Sequence, residues 1–376
     1  MPYITIPQTT ARQISFDDIL DGTVSIPTIT NQITTGTRTY YKGSLKESYL
    51  KLYDFDSMIE TLVKFNAQHE DLFNAKRESL YNTFYIPKKS KGLRKIDAPV
   101  PELMSALRQL KTIFESEMFA LYHTSAFAYI KGRCTIDSIK RHQQNKSKWF
   151  AKLDFSDFFG STTENFVMSM FSQIFPFSEV VKRKDGHDAL QKALSLCFLN
   201  GGLPQGTPIS PIITNVMMIP IDHQLCNELR KMDEHYIYTR YADDILISSK
   251  VDFDCNKLQD YVIGVLNKFN APFKLKKEKT RYGSSAGRNW NLGVMLNKDN
   301  EITIGHQKKK TFKAMCCNYI SDKKNGVSWE LHDVQVFAGL ISYYRMIEKD
   351  YIDYVIEHNN KKFEVDLEKL IKEDLR

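Results

Sequence analysis

The residues best suited to chemistry are the adjacent carboxylates Asp243 and Asp244, set in Tyr238-Thr239-Arg240-Tyr241-Ala242-Asp243-Asp244-Ile245-Leu246-Ile247-Ser248. Two like charges side by side repel, and a divalent cation relieves that repulsion. Hard oxygen ligands suit Mg²⁺. Alone, an Asp-Asp pair also reads as a surface turn, because Asp favours turns. A third carboxylate changes the balance. Much earlier in the chain, the apolar run Trp149-Phe150-Ala151-Lys152-Leu153 ends on Asp154. Placed beside the Asp-Asp turn, Asp154, Asp243 and Asp244 would form one cluster able to hold two Mg²⁺ ions. Such a pair serves in-line phosphoryl transfer, one ion on the attacking oxygen and one on the leaving oxygen.

Several elements must position these groups. Residues 236–241 and 245–249 are rich in Tyr, Ile and Thr and read as strands of a hairpin, with Ala242-Asp243-Asp244 as its turn. Residues 84–99 read as a basic strand, a Gly turn and a second strand, and a mobile hairpin carrying Lys and Arg can close over a triphosphate. Residues 101–118 place Leu103, Leu107, Leu110 and Phe114 at helical spacing, and Met58, Leu62, Val63 and Phe65 do the same within 46–80. Ser161-Thr162-Thr163-Glu164 has capping-box spacing and predicts a helix start. Residues 165–200 read as helical, with a core stripe of Met168, Met170, Phe171, Ile174 and Phe175. The stretch 200–208 reads as a flexible Gly-rich turn, followed by Ser210 and Pro211 as N-cap and N1 of a helix. A helix over 257–270, a basic strand over 274–281 and helices from Thr311 onward complete the reading; residues 1–45 carry no sign of chemistry.

Tyr241-Ala242-Asp243-Asp244 resembles the Tyr-x-Asp-Asp box of reverse transcriptases. Asp154 with Phe158-Phe159 resembles their first palm motif, and Gly202-Leu203-Pro204-Gln205-Gly206 lies between the two like their glycine-rich palm motif. Boxes of this kind run from about Phe84 to about Ile347. The resemblance implies that Asp154, Asp243 and Asp244, with the Phe155 backbone carbonyl, ligate metal. It makes Lys88 and Arg94 triphosphate ligands, and Gln205 a contact of the incoming nucleotide. Asp157 and Phe158 would turn backbone N–H groups toward the phosphates. Phe159, five residues after Asp154, matches the aromatic that excludes a 2′-hydroxyl; either it or Phe158 is expected in the core. Lys279, in Glu278-Lys279-Thr280, resembles the lysine that protonates pyrophosphate. Lys131 and Arg133, in Ala126-Phe127-Ala128-Tyr129-Ile130-Lys131-Gly132-Arg133, resemble template-side phosphate contacts. Tyr241, Gly293 of a primer-grip-like Asn291-Leu292-Gly293-Val294, and Lys308, Lys309 and Lys310 are further nucleic-acid contacts.

The implied fold is α+β, the right-hand polymerase. Residues 1–80 would form an N-terminal extension and the start of the fingers, and 81–148 the fingers. Residues 149–305 would form the palm, whose antiparallel sheet carries the Asp-Asp hairpin, with a helical insertion at about 165–200. Residues 306–376 would form a helical thumb. The implied activity is RNA-directed DNA synthesis from dNTPs, with Mg²⁺ as cofactor and Mn²⁺ as substitute. The compact layout is similar to retron and other bacterial reverse transcriptases, including those linked to phage defence. Retron enzymes usually show Asn-Ala-x-x-His before the first palm motif; here Ser138-Ile139-Lys140-Arg141-His142 keeps only the His, and Asn291-Leu292-Gly293 keeps only the Gly of their Val-Thr-Gly box. The preferred expectation is therefore a defence-associated enzyme copying its own non-coding RNA. Left open are a retron enzyme making RNA-linked DNA, an RNA-dependent RNA polymerase, protein-primed synthesis, and a catalytically silent nucleic-acid-binding subunit.

Composition agrees. The 376 residues are 42% hydrophobic, enough for a sizeable core and for two or three domains. Lys plus Arg number 52 against 45 acidic residues, a net +7, clustered at Lys88-Lys89, Arg94-Lys95, Lys274 to Arg281 and Lys308 to Lys310. These runs point to a polyanionic partner, although solvated faces also account for such runs; the resemblance implies that the partners are an RNA template and a DNA product. A homo-oligomer or a partner defence protein is left open. Six cysteines without C-x-x-C spacing argue against a zinc site and a disulfide framework, and fit a reduced, cytoplasmic setting. No stretch reaches ~18 consecutive apolar residues and the start carries no leader pattern, so no membrane partner is expected.

Overall fold

A computed structural model describes residues 53–88, 92–118, 121–284 and 294–376. Contacts divide the chain into two compact units. One comprises Met1–Thr124, Asp157–Gln224 and Asn270–Pro272, the other Ser125–Ser156, Leu225–Phe269 and Phe273–Arg376.

In the first unit, Asp54 starts the helix Phe55–Gln68 by accepting from the Ser57 amide at 2.9 Å. That helix buries Met58, Leu62 and Phe65, while Val63 of the predicted stripe is 49% exposed. Strands β1 (Tyr81–Pro87) and β2 (Leu93–Pro99) pair antiparallel with Ile86 opposite Arg94, and the Lys88 amide donates to the Gly92 carbonyl at 2.9 Å. The helix Pro101–Thr112 buries Leu103, Leu107 and Leu110, as its spacing predicts. Phe114, Phe171 and Phe177 meet edge to face and tilted, with centroids 4.5–6.1 Å apart. The stretch expected to be helical over 165–200 is three helices, Glu164–Phe171, Phe177–Val181 and Lys184–Ser195. Pro176, which has no N–H to donate, lies at the first break. The helix start is also displaced from Ser161. Thr163 is the cap and accepts from the Phe166 amide at 3.3 Å, while the Ser161 hydroxyl donates to the Asp157 carbonyl. Likewise the next helix is Ser210–Met217, capped by Ile209 rather than Ser210.

The second unit is built on β3 (Trp149–Ser156), β4 (Ile237–Tyr241), β5 (Asp244–Ser249), β6 (Lys274–Leu275) and β7 (Arg281–Ser284). The order is β4-β5-β3-β6, with β7 also on β3, every pair antiparallel. Central β3 is buried on both faces, which is why its sequence reads as a near-continuous apolar run. Phe150 and Leu246 pack with Ile139 of the helix Thr135–Gln144 and with Val294 and Leu296. A short hairpin of β8 (Met295–Leu296) and β9 (Ile302–Thr303) leads into four helices, His306–Lys324, Leu331–Ile347, Lys349–Phe363 and Leu367–Asp374. These share a core that includes Phe312, Tyr319, Phe337, Ile341, Ile352 and Leu367. Among the described residues no helix is long and apolar enough to cross a membrane.

Candidate active site

Strand register builds the carboxylate site. In the β3–β5 ladder Asp154 lies directly opposite Asp244, and in the β4–β5 ladder Tyr241 pairs with Asp244. The hairpin loop is therefore Ala242-Asp243 alone, one residue shorter than expected, and Asp244 is the first residue of β5. So tight a loop puts Ala242 at φ +58°, the left-handed region usual in two-residue hairpin turns. The Phe155 amide donates to the Asp243 carbonyl at 3.2 Å, which ties the loop to β3. Directly opposed residues of an antiparallel pair have Cβ atoms about 4.5–5.5 Å apart, so Asp154 and Asp244 share one face at close range.

Two lysines meet these carboxylates. The Lys279 ammonium donates to both Asp154 oxygens, each at 2.8 Å, and the Lys152 ammonium donates to Asp244 Oδ2 at 2.7 Å. The Asp154 side chain is only 7% exposed. Burial raises the Asp243 carboxyl above the usual range, and the Asp154 charge adds to that against Lys279 and Lys152. Burial also raises Asp244; Lys152 opposes the rise, while Asp243 and Asp154 reinforce it. For Lys279, partial burial works against the charged form, but the hydrogen bond and charge of Asp154 outweigh it and raise its pKa. Three carboxylates thus feel one another across a largely buried face, with ammonium groups neutralising two of them. Among the described residues no set of three His, Cys, Asp or Glu side chains is arranged to hold a metal ion. Two of the relevant carboxylates are engaged by lysines instead. Their chemistry still fits a divalent cation, since the donors are hard carboxylate oxygens and a cation already sits against Asp154 and another against Asp244.

The strands are held from behind. His142 is fully buried, its Nδ1 2.6 Å from the Ser248 hydroxyl and its Nε2 2.9 Å from that of Thr239. Ser138 donates to Thr239, and the Ser248 hydroxyl donates to that of Ser147. Burial, and then the charge of Arg141, push the His142 pKa down to about 3, so the ring is neutral. Arg240, also buried, donates to the Ala242 carbonyl at 3.2 Å, and its backbone pairs with Ser125 and Phe127.

Of the residues expected on the nucleotide side, Lys88, Arg94, Asp157, Phe158, Phe159 and Gln205 lie in the first unit and Lys279 in the second. Phe158 is 3% exposed and core, whereas Phe159 is only partly buried, so of the two rings Phe159 is the accessible one. Asp157, at φ +47°, accepts from the Ser161 amide through its carbonyl. Gln205 is half-buried and its carbonyl accepts from the Asp97 amide at 2.8 Å. Lys88 and Arg94 are exposed on the β1–β2 hairpin, whose residues 89–91 lie outside the described residues, as does Gly293.

Other expected contacts are placed differently. Arg133 donates to the Ala126 carbonyl at 2.8 Å and so braces its own loop, while Lys131 is exposed. Phe127 is buried, with the Arg141 guanidinium over its ring. Lys279 sits on a single 3₁₀ turn, Lys277–Lys279, rather than on a strand, and that turn lets its amine reach Asp154. Lys309 pairs with Glu348 and lies 4.4 Å from the Tyr351 ring centroid, which leaves Lys310 as the exposed member of its run. Sequence reasoning misses Lys152, His142 and Arg240 as contributors to the site. Lys152 carries a legible signal, two residues before Asp154 and so on the same strand face; His142 stands out only as the residue kept from the Asn-Ala-x-x-His box.

A family model described as reverse transcriptase (RNA-dependent DNA polymerase) matches residues 86–318, more than half of the chain. The chain is 26% identical over 303 residues to the retron Ec83 reverse transcriptase of Escherichia coli, covering 78% of this chain and 91% of that protein. It is 26% identical over 268 residues to the retron Ec73 reverse transcriptase of the same organism, covering 70% and 82%. A structure of telomerase from Candida albicans in complex with a fragment of telomeric RNA aligns over 78% of this chain and 65% of that one, at 11% identity and a TM-score of 0.46. The antiparallel sheet bearing the Tyr241 to Asp244 hairpin, flanked by helices, has the α+β composition of the right-hand polymerases. The chain belongs to the reverse transcriptase family, the RNA-directed DNA polymerases.

Proposed function

We propose that the chain extends a primer with dNTPs along an RNA template, with Asp154, Asp243 and Asp244, and the Phe155 carbonyl, holding two Mg²⁺ ions. The observation that carries this reading is the pairing of Asp154 opposite Asp244, with Asp243 in the connecting turn. When bound, the ions lower the pKa of the primer 3′-hydroxyl and neutralise the developing phosphate charge. The protein's residues do the rest by positioning and charge. The carboxylates fix where the cations stand. Lys279 offers a proton to the leaving pyrophosphate. Arg94 grips the triphosphate with a two-pronged fork and Lys88 with a point charge. Phe159, the partly exposed ring, crowds a 2′-hydroxyl, which favours DNA over RNA synthesis.

The test is primer extension on an RNA template with Asp154→Asn and Asp243→Asn. Both variants should lose incorporation while still binding the primer–template. Activity at the wild-type level would refute the assignment, and a wild-type chain that binds but never incorporates would favour the silent-subunit reading.

The template we propose is a non-coding RNA that travels with the protein in antiphage defence. A second reading, a retron enzyme making RNA-linked DNA, is favoured by the coverage of the retron relatives. Sequencing the nucleic acid that copurifies, before and after ribonuclease treatment, separates the two. DNA that shortens or loses a covalent RNA on digestion supports the retron reading. Plaque counts with wild-type and Asp243→Asn chains test defence.

A further inference from the structure

The glycine-rich segment expected to be a flexible turn is rigidly braced, and its braces lead in two directions. Asn200 and Gly201 take φ +52° and +82°, and the Leu199 and Gly202 amides each donate to the other's carbonyl, at 2.9 and 3.1 Å. This is a closed two-residue turn of the kind that Asn-Gly favours. The Leu203 amide then donates to the Phe159 carbonyl at 2.9 Å. A Cβ on Gly202 would stand 2.1 Å from the Gly160 carbonyl oxygen, so only glycine lets the two backbones meet. At the other end the Asp97 amide donates to the Gln205 carbonyl at 2.8 Å. A Cβ on Gly206, at φ +123°, would lie 3.0 Å from the Asp97 carbonyl oxygen. The Ser210 hydroxyl closes the far side by donating to the Pro204 carbonyl at 3.1 Å.

Asp97 is itself fixed. Its carboxylate accepts from the Thr83 hydroxyl at 2.6 Å, from directly across the hairpin, and pairs with Lys95 at 2.9 Å. Asp97 lies three residues along β2 from Arg94.

We propose that residues 202–206 form a strut joining β2 to Phe159, so that the triphosphate grip and the ring that excludes the 2′-hydroxyl are set together. On this view Gly202, Gly206 and Asp97 are specificity-determining and positioning residues, although none of them needs to touch the nucleotide. A movement of β2 is carried through Asp97 and Gln205 to Leu203, and from there to the backbone of Phe159. The inference rests on the polymerase reading above, in which Arg94 and Phe159 face the nucleotide.

The experiment is single-nucleotide incorporation by the full chain on poly(rA)–oligo(dT), comparing kcat/KM for dTTP with that for UTP. Gly206→Ala strains the strut's backbone at φ +123° and crowds it against Asp97 and Ile96 of β2, at the end away from Phe159. It should nonetheless lower the dTTP preference roughly tenfold, as small displacements of positioning groups do. Thr83→Val is a milder variant that removes one hydroxyl. It should lower the preference in the same sense, with Thr83→Ser restoring it. A raised nucleotide KM with an unchanged dTTP:UTP preference in both variants would show that the two ends act independently and would overturn the strut. If the wild-type chain incorporates neither nucleotide, the polymerase reading has failed, and the strut is judged on hydrogen exchange. Thr83→Val should then speed exchange of the Leu203 amide, and an unchanged rate would sink the strut.

Discussion

Lys279 holds both oxygens of Asp154 at 2.8 Å, so the carboxylate that begins the site is spoken for by an ammonium group. A metal ion and this lysine compete for the same lone pairs. Replacing Lys279 by Met should therefore tighten Mn²⁺ binding several-fold by calorimetry. The same variant should slow incorporation by roughly 10²-fold, the lower end of what a positioned proton donor supplies. Weaker Mn²⁺ binding in Lys279→Met would show that the lysine supports the cation site instead of competing for it.

The neutral His142 makes an acid-sensitive brace. Its pKa is about 3 in the folded chain, depressed by burial, against an ordinary value of 6.5. The unfolded chain therefore binds the extra proton between those values. The brace's contribution is complete above about pH 6.5 and is lost as pH falls toward 3. By pH 5 the loss is about 2 kcal/mol, from 1.36 kcal/mol per pKa unit. Thermal melts from pH 7 to pH 5 should fall more steeply for wild type than for His142→Gln. Equal slopes would mean that the ring is not buried as a neutral group.

The lysine run before the last helices should split by role. Lys309 pairs with Glu348, which also accepts from the Thr303 hydroxyl at 2.8 Å and the Ile304 amide at 3.0 Å. Lys309→Ala should lower the melting temperature by about 2–4 °C and leave the salt dependence of nucleic-acid binding intact. Lys310→Ala should leave melting unchanged and reduce the slope of log affinity against log salt by about 1. The reverse pattern would reassign both.

The three carboxylates proposed to hold metal were legible because their chemistry constrains residue type. Like charges at a hairpin tip and at the end of an apolar strand repel and resist burial, so their presence there stands out in the sequence. Two of their supports were not legible. Nothing adjacent in sequence marks His142 as the link between Thr239 and Ser248, because that contact exists only once β4 and β5 are paired in front of its helix. Nothing in the sequence around Arg240 shows that its guanidinium is buried against the Ala242 carbonyl. Local signals failed where tertiary contacts decided the outcome. Ser161 had the spacing of a cap, but its hydroxyl was taken by Asp157 and Thr163 served instead. Basic composition could not separate Lys309, which neutralises Glu348, from Lys310, which faces solvent.

The ladder that sets Asp154 against Asp244 has a consequence for how this chain can vary. Loop and helix segments threaded between the two strands can lengthen or shorten without changing the spacing of the acids, since spacing is measured across the sheet and not along the backbone. One residue added inside β3 or β5 would turn one acid to the opposite side of the sheet. Insertions should therefore be tolerated in the exposed helix connections of the intervening stretch, but hardly at all in the braced 199–206 segment, in β4, or within the few residues that precede Asp154 or follow Asp244.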